Sequence, residues 1–472
     1  MLGLFICLYL AITLFIGIWV SSRVRNANDF ISAGRKLPFI FNTFALFALW
    51  FGSETIFGAS SEFAEKGFQG VIEDPFGAAL CLVIYATVFS RVLYRRNFLT
   101  LGDLFRDTYG RGVELVSSFF MIISFIGYIA AQLVALAILS NVVFGLNVTA
   151  GIIISAAVVC LYTLTGGMWA VSITDFIQSL IIMLGLLWVA FSLSGYGRNT
   201  LDIINNAPRG HFQFLPEGNA NGILNYVAAW MVIGLGSLPS QDLFQRFNSA
   251  RSEKAAYYAG FLGAVLYLAF ALLPLFIVLS IKVLYPETNF SDAQSVIPSI
   301  IIKHSSLPVQ VMMLGALMSA IFSTCSGSIL APSTLLAENL IRPVFQFKDN
   351  SSLFLWILRF SVICMTILGI GMAFIKGNIY HLVGESSILG LVSMLVPMVS
   401  ALFAKKHYAA GAYLSMILGF TAWLIAEHLT NFGIPSLMIG LMMSFVGLIT
   451  GNIAEKLYKK RGSTQLPLPN KS

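Results

Sequence analysis

Apolar residues run along this chain in long blocks separated by short polar stretches. A membrane-crossing helix needs about 20 apolar residues, and thirteen blocks meet that length. They lie near 2–20, 38–65, 70–93, 113–145, 148–164, 168–194, 222–244, 255–284, 308–339, 353–375, 379–404, 408–428 and 432–453. The pattern predicts an all-α integral membrane protein with 13 transmembrane helices. The first block has no basic leader and no small-residue cleavage site, so it reads as a helix and not as a signal peptide.

Two blocks are interrupted. The second reads FALFALWFGSETIFGASSEFAEKG, with Gly52, Ser53, Glu54, Gly58, Ser60 and Ser61 in its middle. The seventh reads NYVAAWMVIGLGSLPSQDLFQRF, with Gly234, Gly236 and Pro239 close together. Glycine weakens a helix and proline removes one of its hydrogen bonds. The freed backbone groups are tolerable at membrane depth only when buried in protein or lining a wet cavity.

These two blocks are five apart. Leaving out the first helix and the last two, ten helices remain in two sets of five, each opening on an interrupted one. Sets of five insert in opposite directions, so the pattern predicts an inverted five-plus-five repeat. Broken helices at matching places in inverted halves point to a midplane site in a secondary transporter. Glycine-rich helix packing is the alternative. The expected organisation is an extra N-terminal helix and loop over 1–37, a ten-helix core over 38–404, and two further helices with a basic tail over 405–472.

The ninth block contains GALMSAIFSTCSGSILAPSTLLAENL. Ser319, Ser323 and Ser326 fall at i, i+4 and i+7 on one helical face, with Ala320 and Thr324 beside them. Close helix packing explains such a stripe. So does a sodium site, since a monovalent hard cation accepts hydroxyls from an intact helix and carbonyls from an unwound one. In the sixth block, Asp175 lies about 10 Å into the helix counted from Met168, and it shares a face with Ser172 and Ser179, with Gln178 alongside. A carboxylate facing lipid there is costly, so it should face the interior or water. Gly166 and Gly167 are expected to make the turn just before it.

Composition agrees: 57% of the 472 residues are hydrophobic and 10% charged, against roughly 25% charged in soluble proteins. Connections on one side of the membrane hold 21 of the 28 Lys and Arg and those on the other hold six. Arg23, Arg25, Arg95, Arg96, Arg246, Arg251, Lys405, Lys406, Lys459 and Lys460 are on the rich side. Positive charge marks the cytoplasm, so the N-terminus is expected outside and the C-terminus inside a cell membrane. The net charge of +7 then reflects cytoplasmic loops, and no nucleic acid partner is expected. No phosphate-cradling GxxxxGK[ST] loop occurs. The five cysteines, Cys7, Cys81, Cys160, Cys325 and Cys364, read as small hydrophobes. Five scattered histidines without metal spacing give no basis for an enzyme.

The stretch GGMWAVSITDFIQ, residues 166–178, resembles a signature of the sodium:solute symporter family, and DFISAGRKL, from Asp29 to Leu37, is similar to the segment before that family's first core helix. The resemblance covers nearly the whole chain. It implies the inverted-repeat fold shared with amino-acid and amine transporters, and sodium-coupled uptake by alternating access. It also implies a sodium site of the Ala48 and Phe51 carbonyls, the Ala320 carbonyl and the Ser323 and Thr324 hydroxyls, with Asp175 close by. Some members bind a second sodium through this Asp and two consecutive serines, which here read Ser326 and Gly327.

Within the family the choline-transporter branch looks closest. Its Ala-Thr-Trp-Val-Gly resembles ALWFG at 48–52, and its Pro-Trp-Gln-Val-Tyr-Phe-Gln-Arg resembles PSQDLFQR at 239–246. A quaternary ammonium is held by ring faces. Trp50 is kept, but Ser240 stands where that branch has Trp and Ala78 where it has Tyr. Glu54, Glu73, Asp74 and Asp242 lie nearby instead. With Trp50, Ser240 and Gln241 they form the expected substrate set, suited to a solute with N–H donors or positive charge such as an amino acid, amine or polyol. The expected function is a sodium-coupled symporter of a small polar organic solute. The alternatives are a choline-type quaternary-amine transporter and a non-transporting solute sensor. The short basic tail argues against the sensor.

Overall fold

The computed structural model of the chain describes residues 2–21, 27–216, 218–286, 293–345, 352–429 and 433–463. Arg23 and Arg25, used above to assign the cytoplasmic side, lie outside these residues, as does the end of the tail. Regular structure among the described residues is helical, apart from one isolated parallel bridge between Leu37 and Ala250.

The principal helices are α1 (Leu2–Ser21), α2 (Phe39–Trp50), α3 (Glu54–Arg96), α4 (Leu101–Tyr109), α5 (Arg111–Phe144), α6 (Val148–Leu164), α7 (Gly167–Leu193), α8 (Ala220–Gly236), α9 (Gln241–Ser249) and α10 (Glu253–Leu284). They continue with α11 (Leu307–Val344), α12 (Leu353–Ile375), α13 (Ile379–Phe403), α14 (Ala409–His428) and α15 (Ser436–Lys460).

Nine of these, among the described residues, are long and apolar enough to cross a membrane, or ten if the bent pair α8–α9 is one span. The expected count of thirteen is therefore corrected. Hydropathy counts apolar residues through a bend, whereas a break shortens each helical piece. The apolar helices Phe39–Trp50 and Val148–Leu164 fall short on length, and the 43-residue stretch of α3 leaves helical geometry at Gly67 (φ +65°, ψ −153°) and Asp74 (φ −141°, ψ 125°), where hydropathy divides it in two.

Both interruptions are real breaks. Helix α2 stops at Trp50, where Phe51 leaves helical geometry with φ −80° and ψ 65°, and Gly52 N–H bonds back to the Trp50 carbonyl at 2.8 Å. Helices α8 and α9 meet at 53° across Ser237–Ser240. Pro239 lies in that gap, and Ser240 is in extended geometry at the start of α9. The two broken pairs are joined at one end: Leu37 N–H donates to Ser249 O and Arg251 N–H to Leu37 O, each at 2.9 Å.

The turn between α6 and α7 depends on Gly167, with φ +56° and ψ −168°. A Cβ there would lie 2.8 Å from the Phe30 carbonyl oxygen, so both conformation and space require glycine. This turn aims α7 back along α11. Helices α5 and α13 are the most enclosed, each with 78% of its apolar window buried, against 28% for α15. The centre of the bundle is thus at α5 and α13, beside the breaks, and α15 is peripheral.

Candidate functional site

The last carbonyls of any helix lack partners inside it. At the end of α2 they are met from three directions. Thr324 of α11 donates to Ala48 O at 3.1 Å, Tyr128 of α5 to Leu49 O at 3.1 Å, and Thr55, just past the break, to Trp50 O at 2.9 Å. Ser53 N–H, on the far side, donates to Gln132 Oε1 at 3.3 Å. The break is therefore held open by hydroxyls and an amide.

Thr324 Oγ1 also lies 3.0 Å from Ala320 O in its own helix. Three of the expected sodium ligands thus meet at one point, and Gly52 is packed against the Thr324 methyl. Phe51 is the residue at which the helix opens. Next to Thr324, Ser323 donates to Asp175 Oδ1 at 2.5 Å. Carbonyls and hydroxyls grouped this way form a neutral oxygen set suited to a monovalent cation. No group of three or more His, Cys, Asp or Glu among the described residues is placed to hold a metal ion.

The serine stripe of α11 faces the α6–α7 pair. Gln178 Nε2 donates to Ser319 Oγ at 2.6 Å, Ser323 pairs with Asp175, and Thr163 donates to Ser326 Oγ at 2.8 Å. Asp175 is 1% exposed and faces the interior, where its second oxygen meets Arg246 Nη2 at 3.4 Å. Arg246 is itself 1% exposed. It is not a loop charge, and its place in the cytoplasmic tally is corrected: it sits on α9 inside the bundle. Its guanidinium lies 3.2 Å from where a Cβ on Gly327 would be.

A second feature lies on the other side of the breaks. A cavity of about 40 Å³ is lined by Trp50 from α2, by Ser237, Ser240 and Asp242 from the α8–α9 break, by Phe125 and Tyr128 from α5, and by Ser387 from α13. Ser240 Oγ donates to Asp242 Oδ1 at 2.7 Å, and Leu243 N–H reaches the same oxygen at 2.7 Å. Ser237 and Ser387 are 3.0 Å apart across the cavity wall. One water needs roughly 10–15 Å³ of such space, so the cavity has room for a few waters.

Of the seven expected substrate residues, Trp50, Ser240 and Asp242 line this cavity. The other four stand elsewhere. Asp74 is fully buried between helices, with Thr55 Oγ1 2.9 Å from one carboxyl oxygen and Tyr267 OH donating to the other. Gln241 turns away to accept from Leu101 N–H at 2.7 Å, which ties α9 to α4. Glu73 packs beside Gly384 of α13. Glu54 is 1% exposed, and neither carboxyl oxygen accepts a well-formed hydrogen bond from the described residues. Tyr128 lies beside it but donates to Leu49.

The residues that sequence reasoning missed are Arg246, Gln132, Phe125, Tyr128 and Ser387. Arg246 carried a usable signal: it follows Pro239 of the second break by seven residues, near the end of the interrupted seventh block. The others sit in ordinary apolar or hydroxyl-bearing helix sequence.

A family model described as Sodium:solute symporter family matches residues 30–419. A high-affinity choline transporter 1 of Torpedo marmorata is 26% identical over 437 residues, 88% of this chain and 74% of that protein. A sodium/proline symporter of Staphylococcus aureus is 29% identical over 397 residues, covering 77% of this chain and 74% of that one. A solved structure of a Na+-coupled sialic acid symporter, substrate-bound and outward-open, superposes with a TM-score of 0.79 at 17% identity, over 96% of this chain and 98% of that one. MhsT in complex with L-phenylalanine superposes at 0.57 and 11% identity, over 88% and 98%. At those identities the two structures share the fold.

Proposed function

The chain belongs to the sodium:solute symporter family, and from that premise we propose that it imports a small organic solute bearing a charged nitrogen with N–H donors, coupled to sodium by alternating access. The observation that carries this reading is Thr324, which joins the opened end of α2 to α11 at the Ala48 and Ala320 carbonyls.

Sodium would take the Ala48, Phe51 and Ala320 carbonyls with the Ser323 and Thr324 hydroxyls. Thr324 then keeps its proton on Ala320 and turns a lone pair to the ion. Ser323 keeps donating to Asp175, and a hydroxyl that donates to a carboxylate is a more electron-rich ligand. A cation at this point ties α2 to α11 in place of a single hydroxyl hydrogen bond, which favours one arrangement of the bundle. Sodium entry is driven by its gradient and by about 2.3 kcal/mol per charge per 100 mV of membrane potential.

The solute would lie in the cavity beside Trp50. Three ring-bearing residues, Trp50, Phe125 and Tyr128, suit a cation, and the Asp242 carboxylate suits its N–H groups. Widening the cavity requires α13 or α8 to move, which fits a carrier that opens and closes. Asp242 and Arg246 are one turn apart on α9, so solute bound at Asp242 bears on the Asp175–Ser323 contact through a single rigid helix. One coupled sodium is the reading that fits Gly327, because the place of a second hydroxyl is taken by the Arg246 guanidinium.

In the proposed architecture residues 38–404 form two inverted five-helix halves that open on the α2–α3 and α8–α9 breaks. Residues 1–37 precede them and α14–α15, within 405–472, follow. The N-terminus lies outside and the C-terminus in the cytoplasm. A choline-type quaternary amine is the second reading, favoured by the same aromatic residues. Uptake into proteoliposomes under an imposed sodium gradient, screened over amino acids, primary amines, choline, sugars and polyols, tests both. Uptake of a primary or secondary amine in preference to choline is expected. Uptake that proceeds equally with potassium on both sides would end the sodium reading.

A further inference from the structure

An open groove of about 600 Å³ runs between the start of α2 and the first half of α10. Phe39, Ala255, Tyr258, Phe261, Leu262 and Val265 form its apolar part. On α10, Ala255, Tyr258, Leu262 and Val265 recur at i, i+3, i+7 and i+10, so they share one helical face. Ala255 is small and buried and makes the recess, while Tyr258, Phe261, Leu262 and Val265 are 58%, 42%, 37% and 56% exposed. From Lys254 to Val265 the groove is about 17 Å long at 1.5 Å per residue, close to the roughly 15 Å of hydrocarbon in one leaflet. On the outside of a membrane bundle such a face meets lipid, so an acyl chain fills it.

One end of the groove is basic. Arg251 and Lys254 line it, both are exposed, and neither has an ion pair among the described residues. Glu253, between them, is taken by Arg95 at 2.8 and 2.9 Å, with Arg91 at 3.8 Å. Four bases thus gather here around one acid, and Arg251 and Lys254 are the two left without a counter-charge. Ser252 caps α10 by accepting from Ala255 N–H at 3.1 Å, which leaves its hydroxyl proton to donate. Every polar side chain along the groove can donate a hydrogen bond, and none is an acid.

From this geometry we propose that the groove is a binding site for an anionic phospholipid, its acyl chain along Tyr258, Leu262 and Val265 and its phosphate at Arg251 and Lys254. The apolar track makes a lipid the occupant, since a free phosphate gains nothing from that wall. The surplus charge selects the headgroup. A zwitterionic lipid brings its own cation to the two bases, whereas an anionic one neutralises them, and bases near a membrane surface attract anionic lipid for this reason. The place matters for the fold. Arg251 N–H donates to Leu37 O at 2.9 Å, where the two broken pairs are joined. A lipid held at Arg251 rests beside that joint.

The test uses the full-length protein in phosphatidylcholine vesicles. A trace of phosphatidylglycerol or of phosphatidylcholine, each with a mid-chain diazirine, is the probe. Photolabelling by the phosphatidylglycerol probe is expected to concentrate on peptides containing Phe39, Phe261 and Val265. It should exceed labelling by the phosphatidylcholine probe about tenfold at equal concentration, as two bases near a membrane surface allow. Arg251→Gln and Lys254→Gln together should bring that ratio to about one while leaving the phosphatidylcholine label in place, which shows the groove intact. Label spread over the lipid-facing surface in proportion to exposure, equal labelling by the two probes in the unsubstituted protein, or a ratio that survives the double variant each overturns the proposal. Displacement by glycerol 3-phosphate as effective as by unlabelled phosphatidylglycerol does so too, since the site would then take a soluble anion. Labelling requires no transport, so this result stands apart from the symporter reading.

Discussion

Arg246 Nη2 lies 3.4 Å from Asp175 Oδ2, and both side chains are 99% shielded, at 1% exposure each. This pair connects the helix that follows the second break to the helix beside the candidate sodium site. Removing one partner of a buried pair leaves an uncompensated charge, at about 3–5 kcal/mol. Arg246→Met and Asp175→Asn are each expected to lower thermal stability. The double variant should recover much of the loss, because it removes both charges. Melting of the four proteins in one detergent gives the cycle, and additive losses would show that the pair is not coupled. Asp175→Asn should also slow solute uptake more than it weakens solute binding.

Thr324 and Ser323 make different contacts, and their variants should differ. Thr324→Val keeps the shape but removes the oxygen that meets Ala48 and Ala320. Half-saturating sodium for uptake should rise roughly ten- to thirtyfold, the equivalent of about 1.5–2 kcal/mol. Ser323→Ala should raise it as well, and it also leaves Asp175 with one fewer donor, so maximal uptake should fall too. Sodium titrations that leave both half-saturation values unmoved would remove this site.

In the proposed function the solute's charge is met by Asp242, which lines the cavity beside Trp50. Asp242→Asn should raise the KM of a cationic solute about tenfold or more, with little change for a neutral analogue of equal shape. Glu73→Gln and Gln241→Glu, at positions outside the cavity lining, should leave the ratio between the two solutes unchanged. Paired uptake curves for the charged and neutral solutes decide between these outcomes.

Gly167→Ala should destabilise the protein. A positive φ disfavours alanine by roughly 1–2 kcal/mol, and the added methyl meets the Phe30 backbone. Gly371→Ala is the control, since a Cβ there finds open space and alanine favours a helix interior by about 1 kcal/mol. Loss of melting temperature at Gly167 without loss at Gly371 is the expected pattern.

His211 closes a loop over one end of α3. Its carbonyl accepts from Phe68 N–H at 2.9 Å, and its ring lies 5.1 Å from that of Phe63. Burial, and then the charge of Lys282, hold the imidazole below its ordinary pKa. The folded chain thus binds fewer protons there than the unfolded one. The loop's stability is whole above the unfolded value of about 6.5 and is lost as pH falls through the lower folded value. Hydrogen exchange at the Phe68 amide should accelerate in acid relative to His211→Gln measured at the same pH. Equal rates in the two proteins across the range would remove His211 as the cause.

Much of the candidate site was legible along the chain. The two breaks announced themselves through glycine and proline at membrane depth. The stripe of Ser319, Ser323 and Ser326 was visible as helical periodicity, and Asp175 as a carboxylate too deep to face lipid. The acids near the first break were harder to assign. Asp74 and Asp242 look alike as buried aspartates in sequence, yet one is bonded between Thr55 and Tyr267 and the other lines the cavity. Gln241 and Ser240 are neighbours, but one reaches α4 and the other lines the cavity beside Trp50.

The class of molecule, the places where its helices open and the oxygen-bearing positions near them are all readable along the chain. These depend on local quantities: hydropathy, helical period, and the backbone preferences of glycine and proline. Packing alone shows that Arg246 lies inside the bundle against Asp175, that Thr324 reaches the end of α2, and that nine or ten helices of spanning length stand among the described residues where hydropathy has thirteen blocks. Partners such as Thr324 and Ala48, 276 positions apart, are chosen by how helices pack. No local pattern records that choice, because a hydroxyl or a guanidinium carries the same label in sequence whichever neighbour the fold brings to it.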